Sequence, residues 1–334
     1  MPRRRSLAYP AWLLGSAVLV LGIAELLVLP PRLPAPSRAA FLMGFVASPG
    51  RVLDGVRINA LGFTGDEPAL EKRAGALRVL TLGGSALFER RMSERLGAAL
   101  RARTRRPVEV LGAALRVHNS RSSVLKLRHL APYGFDVVLI YHGINDLDAN
   151  HVPLREFDAD YAQLGPWYVR GPLLDRSVVL RLAYNRWLHR GTPVQAQGSG
   201  FASEASFRRN LVTLVTESRA AGAEPVLMTF AWSIPEGYSL DAFRAGRVGY
   251  NNPERIASTA VEVWGAPAYV REGLARHNLV VHAVAAEHDV ALLDQERLMG
   301  HEPFWFGDVC HLSEPGTDRF VAFVADFFAQ RGWL

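Results

Sequence analysis

Three short stretches of this 334-residue chain set reactive side chains beside backbone able to hold them. Gly83-Gly84-Ser85 puts a serine where an apolar run turns into a helical pattern. Such a turn exposes the hydroxyl at the mouth of a sheet, with helix-start amides favouring negative charge behind it. Gly143-Ile144-Asn145-Asp146 closes another apolar run, and an asparagine amide there carries the donor that acyl transfer needs for an oxyanion. Asp308-Val309-Cys310-His311 supplies the remaining parts: His311 as general base for Ser85, and Asp308 to orient the imidazole and stabilise its charged form. Each stretch also has a plainer reading. Ser85 is a good helix cap, Asn145 and Asp146 are common turn residues, and Asp308 or Ser313 suits the start of a helix near Glu314-Pro315.

The elements that must position these residues are legible as apolar runs alternating with helical spacing. Short buried strands are expected at L-R-V-L-T-L from Leu77, P-V-E-V-L-G from Pro107, F-D-V-V-L-I-Y from Phe135, E-P-V-L-M-T-F-A from Glu224 and V-A-L-L-D from Val290. Helical patterns separate them, with one running on from Ala86, one over residues 206–222, one over about Pro267–His288 and a last one over Glu314–Gln330. Continuous apolar strands between helices imply a parallel sheet of about five strands covered on both faces. In such sheets ligands bind at the carboxyl ends of the strands, where Ser85 and Asn145 fall. Residues 151–200 are too long for an ordinary crossover and read as an insertion or lid.

The N-terminus divides into a basic segment (1–10), an apolar run (11–29) interrupted only by Glu25, and a Pro-, Ala- and Arg-rich linker (30–56) before the main domain (57–334). An apolar run of about twenty residues matches a bilayer core and exceeds the usual core of a cleaved signal. A transmembrane signal-anchor is therefore expected, with Arg3, Arg4 and Arg5 on the cytoplasmic side and the domain outside the cytoplasm. Secretion after cleavage is the alternative, since small residues follow the run.

A net charge of +6 comes mostly from arginine, but no basic strip interleaved with aromatics, zinc-finger spacing or RNA-binding signature accompanies it. No nucleic-acid partner is expected. The single cysteine, Cys310, excludes an internal disulfide and a cysteine-based zinc site, and it reads as a small buried hydrophobe rather than a nucleophile.

Taken together, G-G-S after the first strand, G-x-N-D after the third and D-x-x-H-L before the last helix resemble the SGNH/GDSL hydrolase family over roughly Arg57 to Phe328. R-I-N-A-L-G-F-T-G, Arg57 to Gly65, is similar to a segment that anchored or secreted bacterial members carry before the first strand. The resemblance implies a three-layer α/β/α, flavodoxin-like domain that is a serine esterase, hydrolysing acyl esters, acetyl esters among them, on a cell-envelope glycan or lipid, with no metal or organic cofactor. It assigns Ser85, His311 and Asp308 as catalytic residues, the amide of Ser85 and the side chain of Asn145 as oxyanion donors, and Gly84, Gly143 and Asp146 as supporting residues. The family's second block departs: where it has a glycine amide as a further donor, this chain reads G-A-A-L-R-V-H-N-S. Val117 stands at the glycine position and Gly112 at the preceding asparagine position, so either amide is a candidate, with His118 and Asn119 as side-chain alternatives. A β-branched Val117 is expected to narrow the acyl pocket and to resist positive φ. An O-acyltransferase using the same site, and a catalytically weak envelope binding or assembly protein, are the competing readings.

Overall fold

Five apolar runs do form strands, and their burial shows why. Every residue of β2 (Leu77–Gly83) and β4 (Val137–Tyr141) is buried, as the lack of polar alternation requires of strands covered on both faces. The computed structural model describes residues 8–28, 46–47, 49–53, 55–164, 177–184, 198, 200–254 and 258–334. With β3 (Val108–Ala114), β5 (Glu224–Met228) and β6 (Ala291–Leu293), β2 and β4 make a parallel sheet in the order β3-β2-β4-β5-β6. A short strand, β1 (Thr64–Gly65), pairs antiparallel with β3 at the edge, Thr64 opposite Gly112. The sheet is thus mixed and six-stranded, one antiparallel strand beyond the parallel sheet expected; a two-residue strand in a turn-rich stretch has no periodicity to reveal it.

Alternate strand residues feed two cores. Val79, Val110, Leu139 and Met228 pack on one face with Leu96 and Leu100 of α3 (Met92–Arg101) and with Phe320, Val324 and Phe328 of α9 (Glu314–Gln330). Leu80, Leu111, Ile140 and Leu227 pack on the other, against Val124 and Leu127 of α4 (Ser120–Leu130), Phe207 and Leu211 of α7 (Ser203–Ala220) and Val281 and Val284 of α8 (Pro267–Glu287). Each fully buried Leu or Phe contributes about 1.5–3 kcal/mol, so these faces fix the register of the strand ends. In this strand order the direction of winding reverses between β2 and β4, and the crevice at such a switch point is where ligands sit.

One helical expectation is revised, and a second is left without support among the described residues. The helix after Ser85 is not continuous: α2 covers only Ser85–Phe88, and Arg90 (φ 53°) and Arg91 (φ 56°) break it before α3 begins. At the N-terminus, α1 spans Ala8–Val28, its side chains described at Pro10 and from Trp12 to Glu25. Among the described residues no helix is long and apolar enough to cross a membrane, so the span expected over 11–29 is not supported by them. Glu25, the interruption in the apolar run, accepts hydrogen bonds from Ser177 Oγ and from Val179 N (3.0 Å), capping α6 (Val178–Ala183) of the 151–200 insertion. Most of the expected linker (30–45, 48 and 54) and much of the insertion (165–176, 185–197 and 199) lie outside the described residues.

Candidate active site

The end of β2 turns at Gly83-Gly84 and puts Ser85 at the first position of α2, 8% exposed. Glycine at 84 is a packing necessity: a Cβ there would lie 2.4 Å from Asn145 Nδ2 and 2.8 Å from the His118 carbonyl. The end of β4 delivers the opposite wall through Gly143 and α5 (Ile144–Leu147). Gly143 is likewise required by space, because a Cβ would meet Phe230 Cγ at 2.6 Å. Asn145 Nδ2 donates one hydrogen to the His118 carbonyl at 2.8 Å, which orients the amide and leaves its second hydrogen for a ligand over Gly84.

The loop before α9 approaches from the third side. His311 Nε2 lies 2.8 Å from Ser85 Oγ, although the two residues are 226 positions apart. His311 Nδ1 lies 2.7 Å from Asp308 Oδ2. The Asp308 carboxylate is fully buried and accepts three more hydrogen bonds, from Cys310 N (2.9 Å) and His311 N (2.8 Å) on Oδ1 and from Thr259 N (2.7 Å) on Oδ2. That network keeps a buried charge satisfied and fixes the ring's orientation. Burial alone opposes a charged His311, but the Asp308 carboxylate more than offsets it, and the imidazolium is held well above the ordinary histidine range. Ser313, not Asp308, caps the last helix: its Oγ accepts from Gly316 N at 3.1 Å. The two plausible uses of this loop therefore fall on different residues.

The second block is where the structure departs most from expectation. Gly112 lies inside β3, paired with Thr81 on one side and Thr64 on the other, and a Cβ there would strike Ser93 Oγ at 1.9 Å. It belongs to the sheet, and the oxyanion role offered to it is withdrawn. Val117 instead occupies the left-handed region a glycine would (φ 57°), with its side chain 74% exposed. Val117 does not line the cavity beside Ser85, so the expected narrowing does not arise there. Asn119 caps α4 through Oδ1, which accepts from Ser122 N at 3.1 Å, while its Nδ2 donor is buried without a hydrogen-bond partner. Asp146 is a brace: buried, it accepts from Ser120 N and Oγ and from Tyr161 OH (3.0 Å), and burial pushes its carboxyl up to about 6.

Cys310 is fully buried, with Sγ 3.6 Å from His311 Nδ1. Burial pushes its thiol up to about 11, so it is no nucleophile at neutral pH. Asp308, Cys310 and His311 do bring possible ligand atoms within 4.8 Å of one another, but Asp308 and His311 are already committed to each other and to Ser85.

Two contributors carried no sequence signal. Thr259 donates its backbone amide to Asp308 from a loop with no motif. Arg90, in its left-handed conformation, donates from Nε to the Leu312 carbonyl at 2.7 Å and from Nη1 to Glu314 at 2.9 Å. It thereby ties the serine's segment to the histidine's.

No family model and no curated protein matches the chain. Among solved structures it is similar to a lipase/acylhydrolase from Enterococcus faecalis (14% identity, 76% of this chain and 96% of that one, TM-score 0.44). It is also similar to a GDSL-like lipase from Bacteroides thetaiotaomicron (11% identity, 76% and 88%, TM-score 0.43). A third likeness is to an acetyl-xylooligosaccharide esterase variant from Geobacillus (13% identity, 76% and 93%, TM-score 0.43).

Proposed function

We propose that this chain is a serine esterase of the SGNH/GDSL kind, acting on short acyl esters through an acyl-enzyme. The observation that carries the reading is the unbroken relay from Ser85 Oγ through His311 to Asp308, with the Asn145 amide poised over Gly84. In this reading Ser85 attacks the ester carbonyl while His311 Nε2 takes its proton. The carbonyl oxygen becomes an oxyanion held by the Ser85 amide, Asn145 Nδ2 and the Val117 amide. His311 then returns the proton to the leaving alcohol, and water attacks the acyl-serine by the same route in reverse.

The cavity beside Ser85 supports a short acyl group. It is lined by His118, Tyr141, Ile144, Asn145 and Phe230 and measures only about 220 Å³ including its mouth. An acetyl group fits such a space. An envelope glycan or lipid as the alcohol part, and a membrane tether that holds the domain outside the cytoplasm, complete the proposal. The tether is supported by the sequence of the apolar run and by the exposure of Trp12, Leu14, Val18, Leu19 and Val20 on α1, each more than 60% exposed. Apolar side chains exposed in this number need a covering surface.

The test is hydrolysis of p-nitrophenyl acetate and longer esters by the wild-type chain, Ser85→Ala and His311→Ala, with mass detection of a phosphonate adduct. Turnover confined to wild type, with the adduct on Ser85 and preference for acetyl, supports the reading. Folded wild-type protein without turnover or adduct would favour the binding-protein alternative, and turnover only with an added sugar acceptor would favour the acyltransferase. Fractionation of cells expressing the full chain or one lacking residues 1–40 tests the tether: both in the soluble fraction would refute it.

A further inference from the structure

Of the 38 lysine and arginine residues only two are lysines, Lys72 and Lys126, and Lys126 is buried directly behind the site at 1% exposure. It projects from α4, and its Nζ contacts three acceptors: the Gly83 carbonyl (3.3 Å), the Ala113 carbonyl (2.5 Å) and His118 Nδ1 (3.2 Å). Gly83 ends β2 one residue before Gly84-Ser85, and Ala113 lies near the end of β3, ahead of the loop that carries Val117. No carboxylate pairs with Lys126 among the described residues. Buried cations are ordinarily paired, since leaving water is costly. This one has no acid, and the place nearest to it where negative charge would form is the proposed oxyanion.

We propose that Lys126 is a positioning residue for the oxyanion site: its ammonium group bolts the end of β2 to the end of β3, holds His118 as the neutral Nε2–H tautomer, and sets positive charge behind the bound carbonyl. The inference rests on the serine-esterase reading above. An ammonium group has three N–H donors and no lone pair, so the three contacts use it fully. His118 Nδ1 must then bring a lone pair. Its ring is kept neutral by burial first and by the charge of Lys126 next, so the ring proton sits on Nε2. His118 lines the cavity with Ser85 and Asn145, and its carbonyl orients the Asn145 amide. One buried side chain thus organises both walls that meet a developing oxyanion, and preorganised donors of this kind act without reorganisation during the reaction.

Lysine rather than arginine makes the device responsive to pH. Burial pushes Lys126 down to about 7, so the ammonium is lost as pH rises past neutrality. The amine then keeps two N–H groups for the two carbonyls and offers a lone pair to Nδ1, which reverses the His118 tautomer. The other titratable groups facing it are His118, from the loop after β3, and His142, from the end of β4, which burial and then Lys126 hold neutral and which bonds Ser123 Oγ at 2.8 Å. Asp146, from α5, is engaged by Ser120 and Tyr161.

The experiment compares the full-length wild type with Lys126→Met and His118→Leu, reading kcat and KM for p-nitrophenyl acetate across the neutral pH range, phosphonate labelling of Ser85, and the His118 tautomer by ¹⁵N-histidine NMR. Expected are a kcat lower by about tenfold to a hundredfold in both variants with KM little changed, and an alkaline fall in wild-type kcat/KM that Lys126→Met lacks. NMR of the wild type should show Nε2–H below neutrality. A Lys126→Met enzyme within about twofold of wild type and with the same alkaline fall overturns this inference while leaving the esterase intact. If Lys126→Met does not fold, an Nδ1–H tautomer in the wild type on the acid side overturns it instead. Wild type that neither turns over nor is labelled overturns the esterase reading and this inference together.

Discussion

Replacing Asp308 by asparagine separates the relay from every other feature of the site, because the shape is kept and only hydrogen-bond polarity changes. The carboxylate accepts four N–H groups: Cys310 N and His311 N on Oδ1, Thr259 N and His311 Nδ1 on Oδ2. An amide has one oxygen, which is best placed against the two backbone donors of its own loop. Its NH₂ then faces Thr259 N–H, which loses its acceptor, and His311 Nδ1, to which it donates. His311 is forced into the Nε2–H tautomer, so at 2.8 Å from Ser85 Oγ there is a donor where a lone pair is needed. Loss of the correct tautomer costs about 10⁴-fold in kcat in a Ser-His-Asp relay, or ~5 kcal/mol at 1.36 kcal/mol per decade. The unmatched Thr259 amide adds about 1–3 kcal/mol of destabilisation. The assay is kcat and KM for p-nitrophenyl acetate beside a thermal melt of the same Asp308→Asn sample. A folded variant retaining a tenth or more of wild-type kcat would refute the assignment of Asp308 as the residue that fixes the His311 tautomer.

Other outcomes follow from the same geometry. Asn145→Ala should lower kcat by about 10²–10³-fold with KM little changed, and a change confined to KM would remove Asn145 from the oxyanion site. Val117→Gly relieves a left-handed conformation costing about 1–2 kcal/mol at an entropic cost of about 0.5–1 kcal/mol; activity should persist and denaturant stability should not fall, whereas a clear loss of stability would show that the Val117 side chain makes contacts that matter. Gly84→Ala should abolish turnover by displacing the Asn145 amide and the His118 carbonyl, and an active Gly84→Ala enzyme would contradict the packing described. On the acid side, kcat/KM should rise with pH through the His311 pKa, above the ordinary value of 6.5 because of Asp308. A raised folded pKa contributes stability that is full below the unfolded value and is lost as pH rises through the folded one, so activity and this part of stability should move in opposite directions; a wild-type midpoint below 6.5 would count against the raised His311.

The sequence by itself determined the five parallel strands, the helices α7, α8 and α9, and the four polar positions of the candidate site. Apolar runs without alternation state that a strand is covered on both faces, and the glycines before Ser85 and Asn145 mark where the backbone turns out of the sheet. Those signals are local, and burial is written directly into residue type. What only the tertiary structure decided are relationships across long separations. It closed 226 residues between Ser85 and His311 to 2.8 Å, gave Asp308 the amide of Thr259, and moved Gly112 out of the site into the sheet. It left Val117 exposed in a conformation its residue type disfavours. It also set Lys126 behind the strand ends. The reason is physical: periodicity records how much of a side chain leaves water, whereas the partner it meets there, and the backbone conformation it accepts in return, depend on contacts that form only when distant segments pack.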